Sequence, residues 1–356
     1  MNKYEIAVIA GDGIGPEVIS QGKRILNRAA EMDGGFTFSY TDFPWGCEYY
    51  LRNGRMMAED ALSQLKSFDA IYLGAVGYPG VPDHISLRDL LLTIRQGFEQ
   101  YVNLRPVKLL RGAPCPLLKA KPEDIQMLFV RENSEGEYSG SGAWLYKNTP
   151  RETVIQNSVF SREGCERIIR YAFNIAEREG KSVTNVSKAN ALNYSMVFWD
   201  QVFEEISEEF PNVTTHHYLA DAASMLMVKD PSRFEIVVTT NLFGDILTDL
   251  GAAIAGGMGL AAGANLNPER KYPSMFEPIH GSAPDIAGKN TANPMASIWA
   301  AAMMLEHFGM KEWSDRIITA MEKTLIEKNT LTPDLGGTGT TIQLTDAIMR
   351  NLEEVK

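Results

Sequence analysis

The sequence predicts an α/β protein, because short apolar runs rich in β-branched residues alternate with longer segments that repeat apolar residues at helical spacing. Glycine-rich turns follow several of the apolar runs, as at residues 11–15 and 74–80. With 356 residues the chain exceeds what one hydrophobic core usually serves. We therefore expect two domains, or one large domain with an insertion.

The composition excludes several classes of protein. The chain is 44% hydrophobic and 22% charged, as in ordinary globular proteins, and carries a net charge of −11. An acidic surface argues against nucleic acid or an anionic membrane as the main partner, whereas an anionic substrate needs only a local basic pocket. The apolar run at residues 6–10 is too short for a signal peptide, and the one at residues 250–264 is too short and glycine-rich to span a bilayer.

The cysteines indicate the redox compartment. Cys47, Cys115 and Cys165 are odd in number, far apart and in no paired motif. This pattern predicts reduced thiols in a cytoplasmic protein, with neither a disulfide framework nor a zinc site.

The first elements are a strand at residues 4–10, a turn with the sequence GDGIGPE at residues 11–17, and a helix in which Pro16 suits the first position. A Rossmann domain also begins with a strand, a glycine turn and a helix. Here, however, Pro16 replaces the third small residue of that fingerprint, and no acidic residue clearly follows a second strand. We therefore expect a ligand- or phosphate-facing turn of another α/β fold, or a plain tight turn.

The next strands are predicted at residues 36–43 and 68–73. The second leads into the glycine-rich loop 74–80, at the carboxyl end of a strand, where α/β proteins place their binding sites.

Three arginines lie near the ends of elements. Arg95 lies beside the apolar stripe of a helix over residues 87–94, Pro106 holds Arg105 extended, and Arg131 ends a strand at residues 125–130. Their guanidinium groups match carboxylates bidentately, so a carboxylate-binding cluster is one interpretation. Ordinary surface ion pairs are the other.

The middle of the chain continues the alternation, with strands at residues 154–160, 183–186 and 213–219 and helices at residues 162–179 and 194–210. His216 and His217 lie on opposite faces of their strand, so they cannot bind one ion together.

Two charged residues follow strands in this region. Lys188 follows the strand at residues 183–186, where a lysine is usually a loop charge but acts as a base beside an acid and a metal. Asp221 follows the strand at residues 213–219, and on local grounds it is a helix cap.

The stretch at residues 236–250 carries the main candidate site. A buried strand at residues 236–240 precedes Asn241, which we expect to cap a helix with its side chain. Asp245 and Asp249 are four residues apart and lie on one face of that helix. They are either solvated side chains or ligands of Mg²⁺ or Mn²⁺. The adjacent apolar face is expected to consist of Leu242, Ile246 and Leu250.

The last informative segment is the loop at residues 277–289, EPIHGSAPDIAGK. It offers many backbone donors, and its acid Asp285 is able to accept from both hydroxyls of a ribose.

These motifs together resemble the β-decarboxylating dehydrogenases of 2-hydroxy acids, the family of isocitrate and isopropylmalate dehydrogenases. The motifs that carry the resemblance are at residues 11–17, 103–106 (NLRP), 131–138, 241–249 and 280–288. Further segments are most similar to the tartrate and D-malate branch, namely residues 43–46 (FPWG), 48–50 (EYY), 100–103 (QYVN) and 273–277 (PSMFE). The resemblance covers nearly the whole chain.

The resemblance implies an isopropylmalate dehydrogenase-like two-domain α/β fold, which is not a Rossmann fold. The first domain would comprise residues 1–101 plus 252–356 and bind the cofactor. The second, residues 102–251, would form a homodimer and carry the metal and catalytic residues.

The resemblance also implies roles for individual residues. Asp245, Asp249 and the partner subunit's Asp221 would hold Mg²⁺ or Mn²⁺, which would chelate the substrate and polarise the new ketone during decarboxylation. Lys188 of the partner subunit would take the hydroxyl proton as hydride leaves for NAD⁺, and Tyr138 would protonate the enol. The residues that would bind the carboxylates of a 2-hydroxy diacid are Arg95, Arg105 and Arg131.

For the cofactor, the resemblance implies NAD, because Asp285 would hold the ribose and repel a 2′-phosphate. The residues it assigns to the cofactor are Ile14, Asn190, Glu277, His280, Gly281, Ser282, Ala283, Asp285, Ile286 and Asn293.

Two departures from the family pattern bear on specificity. Arg88 replaces the tryptophan usual in the tartrate and D-malate branch, and it either meets a distal polar or anionic group of a longer acid or points to solvent. Residues 290–291, Asn-Thr, replace the more usual Gly-Ile beside the cofactor loop.

The sequence thus predicts an NAD-dependent, metal-requiring dehydrogenase that oxidises tartrate and D-malate and decarboxylates D-malate to pyruvate. The alternatives are the same chemistry on 3-isopropylmalate or a homoisocitrate-like acid, and a non-catalytic regulatory paralogue. The paralogue would lack the lysine, the tyrosine or an aspartate, yet this chain has all of them.

Overall fold

The computed structural model describes residues 2–355 and has the predicted α/β character. Its strands are β1 (Asn2–Gly11), β2 (Phe36–Asp42), β3 (Ala70–Ala75), β4 (Val102–Lys108), β5 (Gln126–Glu132), β6 (Gly142–Leu145), β7 (Thr153–Gln156), β8 (Val183–Ser187), β9 (Thr215–Leu219), β10 (Ile236–Thr239), β11 (Ala262–Leu266) and β12 (Ser274–Pro278). Ten of these strands in residues 2–355 form one sheet in the order β2-β1-β3-β12-β11-β4-β5-β10-β8-β9, and β6 and β7 form a separate hairpin.

The helices are α1 (Gly15–Asp33), α2 (Cys47–Asn53), α3 (Ala61–Leu65), α4 (Asp83–Ser86), α5 (Thr93–Gly97), α6 (Arg162–Glu179), α7 (Ser195–Ser207), α8 (Ala220–Lys229), α9 (Asn241–Ile254), α10 (Met295–His307), α11 (Lys311–Glu327) and α12 (Thr341–Glu354). A π-helical segment, Leu87–Leu92, joins α4 to α5, so the predicted helix carrying Arg95 is interrupted. None of the helices within residues 2–355 has the length and apolar content needed to cross a membrane.

The sheet is mixed, and its pairing explains why the Rossmann interpretation fails. Four strands at each end are parallel to their neighbours, but β11 runs antiparallel to both β12 and β4, and β4 runs antiparallel to β5. A doubly wound Rossmann sheet is mostly parallel. The antiparallel strands β4 and β11 join the two parallel blocks. They carry Asn103 and Asn265, which lie close to the predicted substrate-binding arginines.

Apolar side chains pack in separate layers on this sheet. One cluster draws its members from residues 7–98 and 275, whereas another draws its members from residues 107–255. A larger cluster spans both parts and includes most of α10. The three cysteines are unpaired, as predicted, and Cys47 and Cys165 are buried.

Several boundaries differ from the sequence prediction. The strand expected at residues 154–160 ends at Gln156 and resumes only as a bridge between Gly136 and Val159. The helix expected at residues 194–210 is α7 (Ser195–Ser207). Pro16, expected at the first position of α1, is its second residue, after Gly15, and still lies in the first turn.

Candidate active site

The start of α9 is organised around Arg131, which corrects the prediction for Asn241. Asn241 is the first helical residue, and Thr240 is the N-cap without a side-chain hydrogen bond. The Asn241 Oδ1 atom instead accepts from Arg131 Nη2 at 2.7 Å and from Arg131 Nε at 3.1 Å. A buried guanidinium needs acceptors more than the helix needs a cap, because the free N–H groups at a helix start can also donate to water or to other acceptors.

The buried face of α9 also differs from the prediction. In the single chain it comprises Gly244, Leu247, Thr248 and Gly251, whereas Leu242 and Leu250 are half-buried and Ile246 is 57% exposed. Of the expected apolar face, Leu250 packs against the core of its own chain, whereas Ile246 is left exposed.

Asp245 is the point at which the predicted site residues converge. Its Oδ1 accepts from Arg131 Nη1 at 2.5 Å and from Arg105 Nη1 at 3.3 Å, and its Oδ2 accepts from the Tyr138 hydroxyl at 3.1 Å. Burial raises the pKa of this carboxyl, but the charges of Arg131 and Arg105 outweigh burial and hold the pKa below its ordinary value. Asp245 is therefore ionised at neutral pH.

Gly244 makes the contact between α9 and Arg131 possible. A Cβ atom on Gly244 would lie 2.5 Å from Cγ of Arg131 and 2.8 Å from its Cδ, well inside van der Waals contact. Glycine in a helix interior ordinarily costs about 1 kcal/mol relative to alanine. Here it lets the stem of Arg131 lie directly against the helix backbone.

Arg95, Arg105 and Arg131 are all buried and line one cleft, in agreement with the cluster interpretation. Their carboxylate partners are Glu277 and Asp245, and not Glu132, the residue beside Arg131 in the sequence. Arg95 Nη2 donates to Glu277 Oε1 at 2.7 Å, and Arg105 Nη1 donates to Thr248 Oγ1 at 2.7 Å. Burial lowers the pKa of Arg105 and Arg131, yet a guanidinium remains charged at neutral pH.

A cleft of about 190 Å³ opens above these groups. Its polar lining comprises the three arginines together with Tyr138, Asp245, Glu277 and His280, and its apolar lining includes Leu73, Val76, Leu87 and Leu91. At about 30 Å³ per water molecule, it holds roughly six waters or one small diacid.

Tyr138 has the protonation state of a proton donor. Burial, together with the charge of Asp245, raises the pKa of its phenol above the ordinary value of 10.0. The hydroxyl therefore keeps its proton through neutral and mildly alkaline pH while it faces the cleft.

Asp249 lies one turn beyond Asp245. Burial and the charge of Asp245 raise its pKa, which is the effect expected of two carboxyls sharing one site without a cation between them. Across residues 2–355, no cluster of three or more His, Cys, Asp and Glu side chains is arranged to hold a metal. One chain therefore supplies two carboxylates, which fit a divalent cation only when a further oxygen donor comes from elsewhere.

Lys188 and Asp221 form a separate pair on the surface of the same chain. Lys188 Nζ donates to Asp221 Oδ1 at 2.6 Å, and this bond lowers the pKa of Asp221. Asp221 lies in the first turn of α8, whose N-cap is Leu219, so the helix-cap interpretation is wrong. Asn190 is exposed on the loop that follows Lys188.

The GDGIGPE turn supports the loop at residues 280–290. The Ile14 N–H donates to the Ser282 carbonyl at 2.8 Å, and both oxygens of Glu17 accept backbone N–H groups, from Gly288 and from Asn290. Gly13 has φ +57°, and a Cβ atom there would lie 2.0 Å from the Ser282 carbonyl oxygen. The hydrogen-bonding groups of the turn at Ile14 and Glu17 are thus occupied by the loop. This favours a role of the turn in supporting the loop over direct contact with a phosphate.

The loop itself keeps donors for a ligand. No backbone carbonyl of residues 2–355 accepts from the N–H groups of Gly281, Ser282, Ala283 and Asp285. His280 Nε2 is buried with no partner in the described chain, and burial lowers the pKa of this imidazole, so the ring is neutral. Asp285 is exposed at the loop surface, while Ile286 packs beside Ile14. These features fit a nucleotide.

Two other predicted residues are less available. Asn293 Nδ2 donates to Asp334 Oδ2 at 2.9 Å, and its Oδ1 accepts from the Met295 N–H at 3.0 Å, so both ends of the amide are used. Arg88 is exposed and does not line the cleft. Its Nη1 lies 2.9 Å from where a Cβ of Gly140 would be, against the loop after Tyr138.

The sequence reasoning missed the groups that accept from the arginines, namely Asn103, Asn241 and Thr248, and Asn265, which binds Asn103. Asn103 Oδ1 accepts from Arg105 Nε at 2.7 Å, and Asn103 Nδ2 donates to Asn265 Oδ1 at 2.8 Å. The sequence did offer a signal for Asn103, which lies two residues before Arg105 in the same strand. Residues i and i+2 share a face of a strand, so their side chains lie side by side.

The comparisons with known proteins agree with this geometry. The family model for isocitrate/isopropylmalate dehydrogenase matches residues 5–348. Similar proteins are a probable tartrate dehydrogenase/decarboxylase of Agrobacterium vitis (50% identical; 98% of this chain, 97% of the relative) and a D-malate dehydrogenase [decarboxylating] of Escherichia coli strain K12 (50% identical; 98% and 99%). The crystal structure of isocitrate dehydrogenase from Methylococcus capsulatus superimposes with a TM-score of 0.88 at 35% identity, over 99% of both chains. The chain belongs to the isocitrate/isopropylmalate dehydrogenase family.

Proposed function

We propose that this chain is an NAD- and divalent-metal-dependent dehydrogenase of tartrate and D-malate, which decarboxylates oxidised D-malate to pyruvate and CO₂. The observation that carries this proposal is the convergence of three buried arginines with Asp245 and Tyr138 in one small cleft. The relatives named for tartrate and D-malate match this chain along almost its whole length.

The charges of the cleft support a dianionic substrate that binds together with a divalent cation. The three arginines are balanced by Asp245, Asp249 and Glu277, and Lys188 balances Asp221. A divalent cation and a dianionic acid entering together leave this balance unchanged, whereas either one alone leaves an uncompensated charge in a poorly solvated site. We therefore expect the metal and the acid to increase each other's affinity.

The arginines bind and orient the acid. Arg95, Arg105 and Arg131 present their guanidinium groups to its carboxylates, and their own buried partners keep them from swinging out of position. Lys188 of the partner subunit, once its ammonium has given up a proton, would accept the proton of the C2 hydroxyl. Tyr138 then delivers its proton to C3 after CO₂ has left, and its raised pKa keeps that proton available.

The metal would be held by Asp245 and Asp249 of one subunit and Asp221 of the partner subunit. When bound, a divalent cation supplies Lewis-acid stabilisation of the negative charge that develops on the C2 oxygen. The fit rests on oxygen donors alone, which suits Mg²⁺ or Mn²⁺.

The cofactor would lie along the loop at residues 280–286, whose free N–H groups face an acceptor-rich ligand. NAD⁺, when bound, supplies the hydride acceptor. We infer NAD rather than NADP because Asp285, an exposed carboxylate on this loop, repels a 2′-phosphate.

A homodimer with shared active sites is part of this proposal. Apolar side chains that the single chain leaves exposed lie on α7, α8, α9 and the β6–β7 hairpin, namely Val197, Met225, Val228, Ile246, Trp144, Leu145, Val154 and Ile155. Lys188 lies in the loop before α7 and Asp221 in the first turn of α8, and they contact each other rather than Asp245. A second copy of the chain packed on these surfaces would cover the apolar groups and bring both residues to its cleft.

The domain division belongs to the same proposal. We infer one domain from residues 1–101 plus 252–356 and a second from residues 102–251, because separate apolar clusters fall within these ranges to within a few residues. The three unpaired cysteines support a reducing, cytoplasmic location.

A second candidate is the same reaction on an acid with an apolar substituent at C3, such as 3-isopropylmalate. Val76, Leu87 and Leu91 line the cleft and favour this candidate. The exposure of Arg88 favours the interpretation in which this side chain points to solvent, so it gives no support to a longer polyanionic acid.

NADH production by the purified protein with Mn²⁺ tests the proposal, across D-malate, L-tartrate, meso-tartrate, 3-isopropylmalate, isocitrate and homoisocitrate. Turnover of D-malate or a tartrate with the highest kcat/KM is the expected result. A higher kcat/KM for 3-isopropylmalate would establish the second candidate. Absence of turnover on every acid would contradict both and support the non-catalytic alternative.

A further inference from the structure

A chain of hydrogen bonds beneath the cleft connects Arg95 to Arg105. Glu277 Oε1 accepts from Arg95 Nη2 and from Asn265 Nδ2, each at 2.7 Å. Asn265 Oδ1 accepts from Asn103 Nδ2 at 2.8 Å, and Asn103 Oδ1 accepts from Arg105 Nε at 2.7 Å. Asn265 is therefore the middle member of a chain that begins and ends at a guanidinium.

The strand register explains why these side chains meet. Asn265 of β11 lies opposite Asn103 of β4, and Glu277 of β12 lies opposite Gly263, two residues before Asn265. Residues directly opposite in antiparallel strands, and residues two apart in one strand, share a face of the sheet. The central strands thus carry the network from one arginine to the other.

Asn265 uses its amide fully. Besides the bonds above, its Oδ1 accepts from Asn133 Nδ2 at 2.9 Å, and its Nδ2 lies 3.4 Å from the Met275 carbonyl oxygen. The side chain has no exposed surface, so water has no access to replace a lost partner. The orientation of the amide is fixed, because Glu277 only accepts whereas the Asn103 and Asn133 amides present their donors.

We propose that Asn265 is a positioning residue that sets the separation of Arg95 and Arg105, although it touches neither arginine. An amide is required at this position because it donates on one side and accepts on the other. The inference rests on the proposed function, in which both arginines bind the same acid. It predicts that changes at Asn265 weaken binding of the acid and leave binding of the cofactor intact.

The first test compares Asn265→Leu with Asn351→Leu. Leucine leaves the Asn103 and Asn133 amides without their acceptor and gives Glu277 one donor fewer. Asn351 is an equally buried asparagine on α12 whose Nδ2 donates to Thr324 Oγ1 at 2.9 Å, away from the cleft. We expect Asn265→Leu to raise KM for the acid at least tenfold with kcat within threefold and KM for NAD⁺ unchanged. Asn351→Leu should lower Tm comparably and leave both KM values unchanged.

The second test uses Asn265→Asp, which is nearly isosteric. While protonated, the introduced carboxyl donates to Glu277 and accepts from Asn103, as the amide does. Once ionised, it repels Glu277, the acid that faces it, although Arg95 and Arg105 at the ends of the chain moderate this repulsion. We expect the ratio of KM for the acid in the variant to KM in the wild type to be near one at low pH and to rise several-fold by pH 9. A merely structural role would give a ratio that does not change with pH.

Either result can overturn the inference. KM for the acid unchanged in Asn265→Leu, or raised equally in Asn351→Leu, would contradict a positioning role. If Asn265→Leu does not fold, a pH-independent KM ratio for Asn265→Asp would contradict it. The rise of Tm with D-malate or succinate, measured with Mn²⁺ but without NAD⁺, separates a failure of this inference from a failure of the proposed function. A rise in the wild type that Asn265→Leu abolishes supports the inference even without turnover, and no rise in the wild type contradicts both.

Discussion

Arg131 Nη1 donates to Asp245 Oδ1 across 2.5 Å, and this bond joins the predicted substrate-binding cluster to the predicted metal-binding pair. Because Asp245 also accepts from Arg105 and Tyr138, one carboxylate orients groups from β4, from β5 and from the loop that follows β5. The site therefore depends on how closely α9 approaches Arg131.

Gly244→Ala tests that approach. The added Cβ would overlap the stem of Arg131, so the guanidinium must move. A shift of about 1 Å at a binding group costs roughly 10²-fold in rate, and we expect kcat/KM to fall by about that factor while the protein stays folded. Steady-state kinetics and circular dichroism measure the two effects.

Gly251→Ala is the matched control for this variant. Gly251 lies in the same helix as Gly244. A Cβ on Gly251 would lie 2.6 Å from Cγ2 of Val107, so the crowding is similar but falls on an apolar side chain. Equal losses of kcat/KM in both variants would show that general disturbance of α9, rather than the placement of Arg131, is responsible.

Tyr138→Phe removes the proposed proton donor. We expect kcat for formation of pyruvate from D-malate to fall by about 10²–10³-fold, in the usual range for a positioned acid, with little change in KM. Tyr40→Phe, which loses only a bond to Asn27 at 3.0 Å, should keep wild-type kinetics. A kcat for Tyr138→Phe within threefold of the wild type would refute the assigned role.

Glu17→Gln tests the support of the cofactor loop. Glu17 accepts from the N–H groups of Gly288 and Asn290 with both oxygens, whereas glutamine offers only one acceptor and no charge. Hydrogen bonds to charged groups contribute about 1.5–3 kcal/mol, so we expect KM for NAD⁺ to rise roughly tenfold or more with KM for the acid unchanged.

Glu353→Gln serves as the control, because this carboxylate pairs with Arg28 on the surface and is far from the loop in sequence. Unchanged KM for NAD⁺ in Glu17→Gln would indicate that the loop keeps its shape without this support.

His307 predicts how stability depends on pH. Burial, with a smaller contribution from the charge of Arg270, lowers its pKa from 6.5 to about 4. As pH falls, the His307 imidazole of the unfolded chain takes up a proton before that of the folded chain does. The contribution of this group to the free energy of unfolding is therefore complete above pH 6.5 and is lost as pH falls toward 4. A shift of this size amounts to about 3 kcal/mol.

His307→Phe keeps an aromatic ring beside Phe276 and Phe308 but removes the titration. Between pH 7 and pH 4.5, urea unfolding should show the wild type losing free energy of unfolding relative to the variant. Parallel curves for the two proteins would contradict a depressed pKa.

The sequence allowed the arginines to be predicted but not their partners. Arg95, Arg105 and Arg131 could be recognised as candidates because they lie at the ends of elements or beside apolar segments of an acidic protein. Arg105 depends on Asn103 and Asn265, which are separated by about 160 residues and meet only because β11 pairs with β4. Local patterns do not contain this strand order.

The α9 helix shows a second limit of local reasoning. Asn241 has a strong preference for the cap position, yet the structure uses its oxygen for Arg131, because a buried guanidinium costs more to leave unpaired. The pattern places Leu242, Ile246 and Leu250 on one apolar face, yet in the single chain Leu242 and Leu250 are half-buried and Ile246 is exposed. Their pattern does not distinguish packing on the core from packing on a second subunit.

In the proposed homodimer each active site takes Asp245 from one subunit and Lys188 from the other, and subunit mixing tests this arrangement directly. Lys188→Ala and Asp245→Asn homodimers should each be folded and inactive. After the two are mixed, dissociated and reassociated, half of the dimers are hybrids, and each hybrid has one site with both residues intact. We expect recovery of about a quarter of the wild-type activity with the preferred acid. No recovery, in a mixture shown by mass spectrometry to contain hybrids, would place both residues in the same chain's site and refute the shared active site.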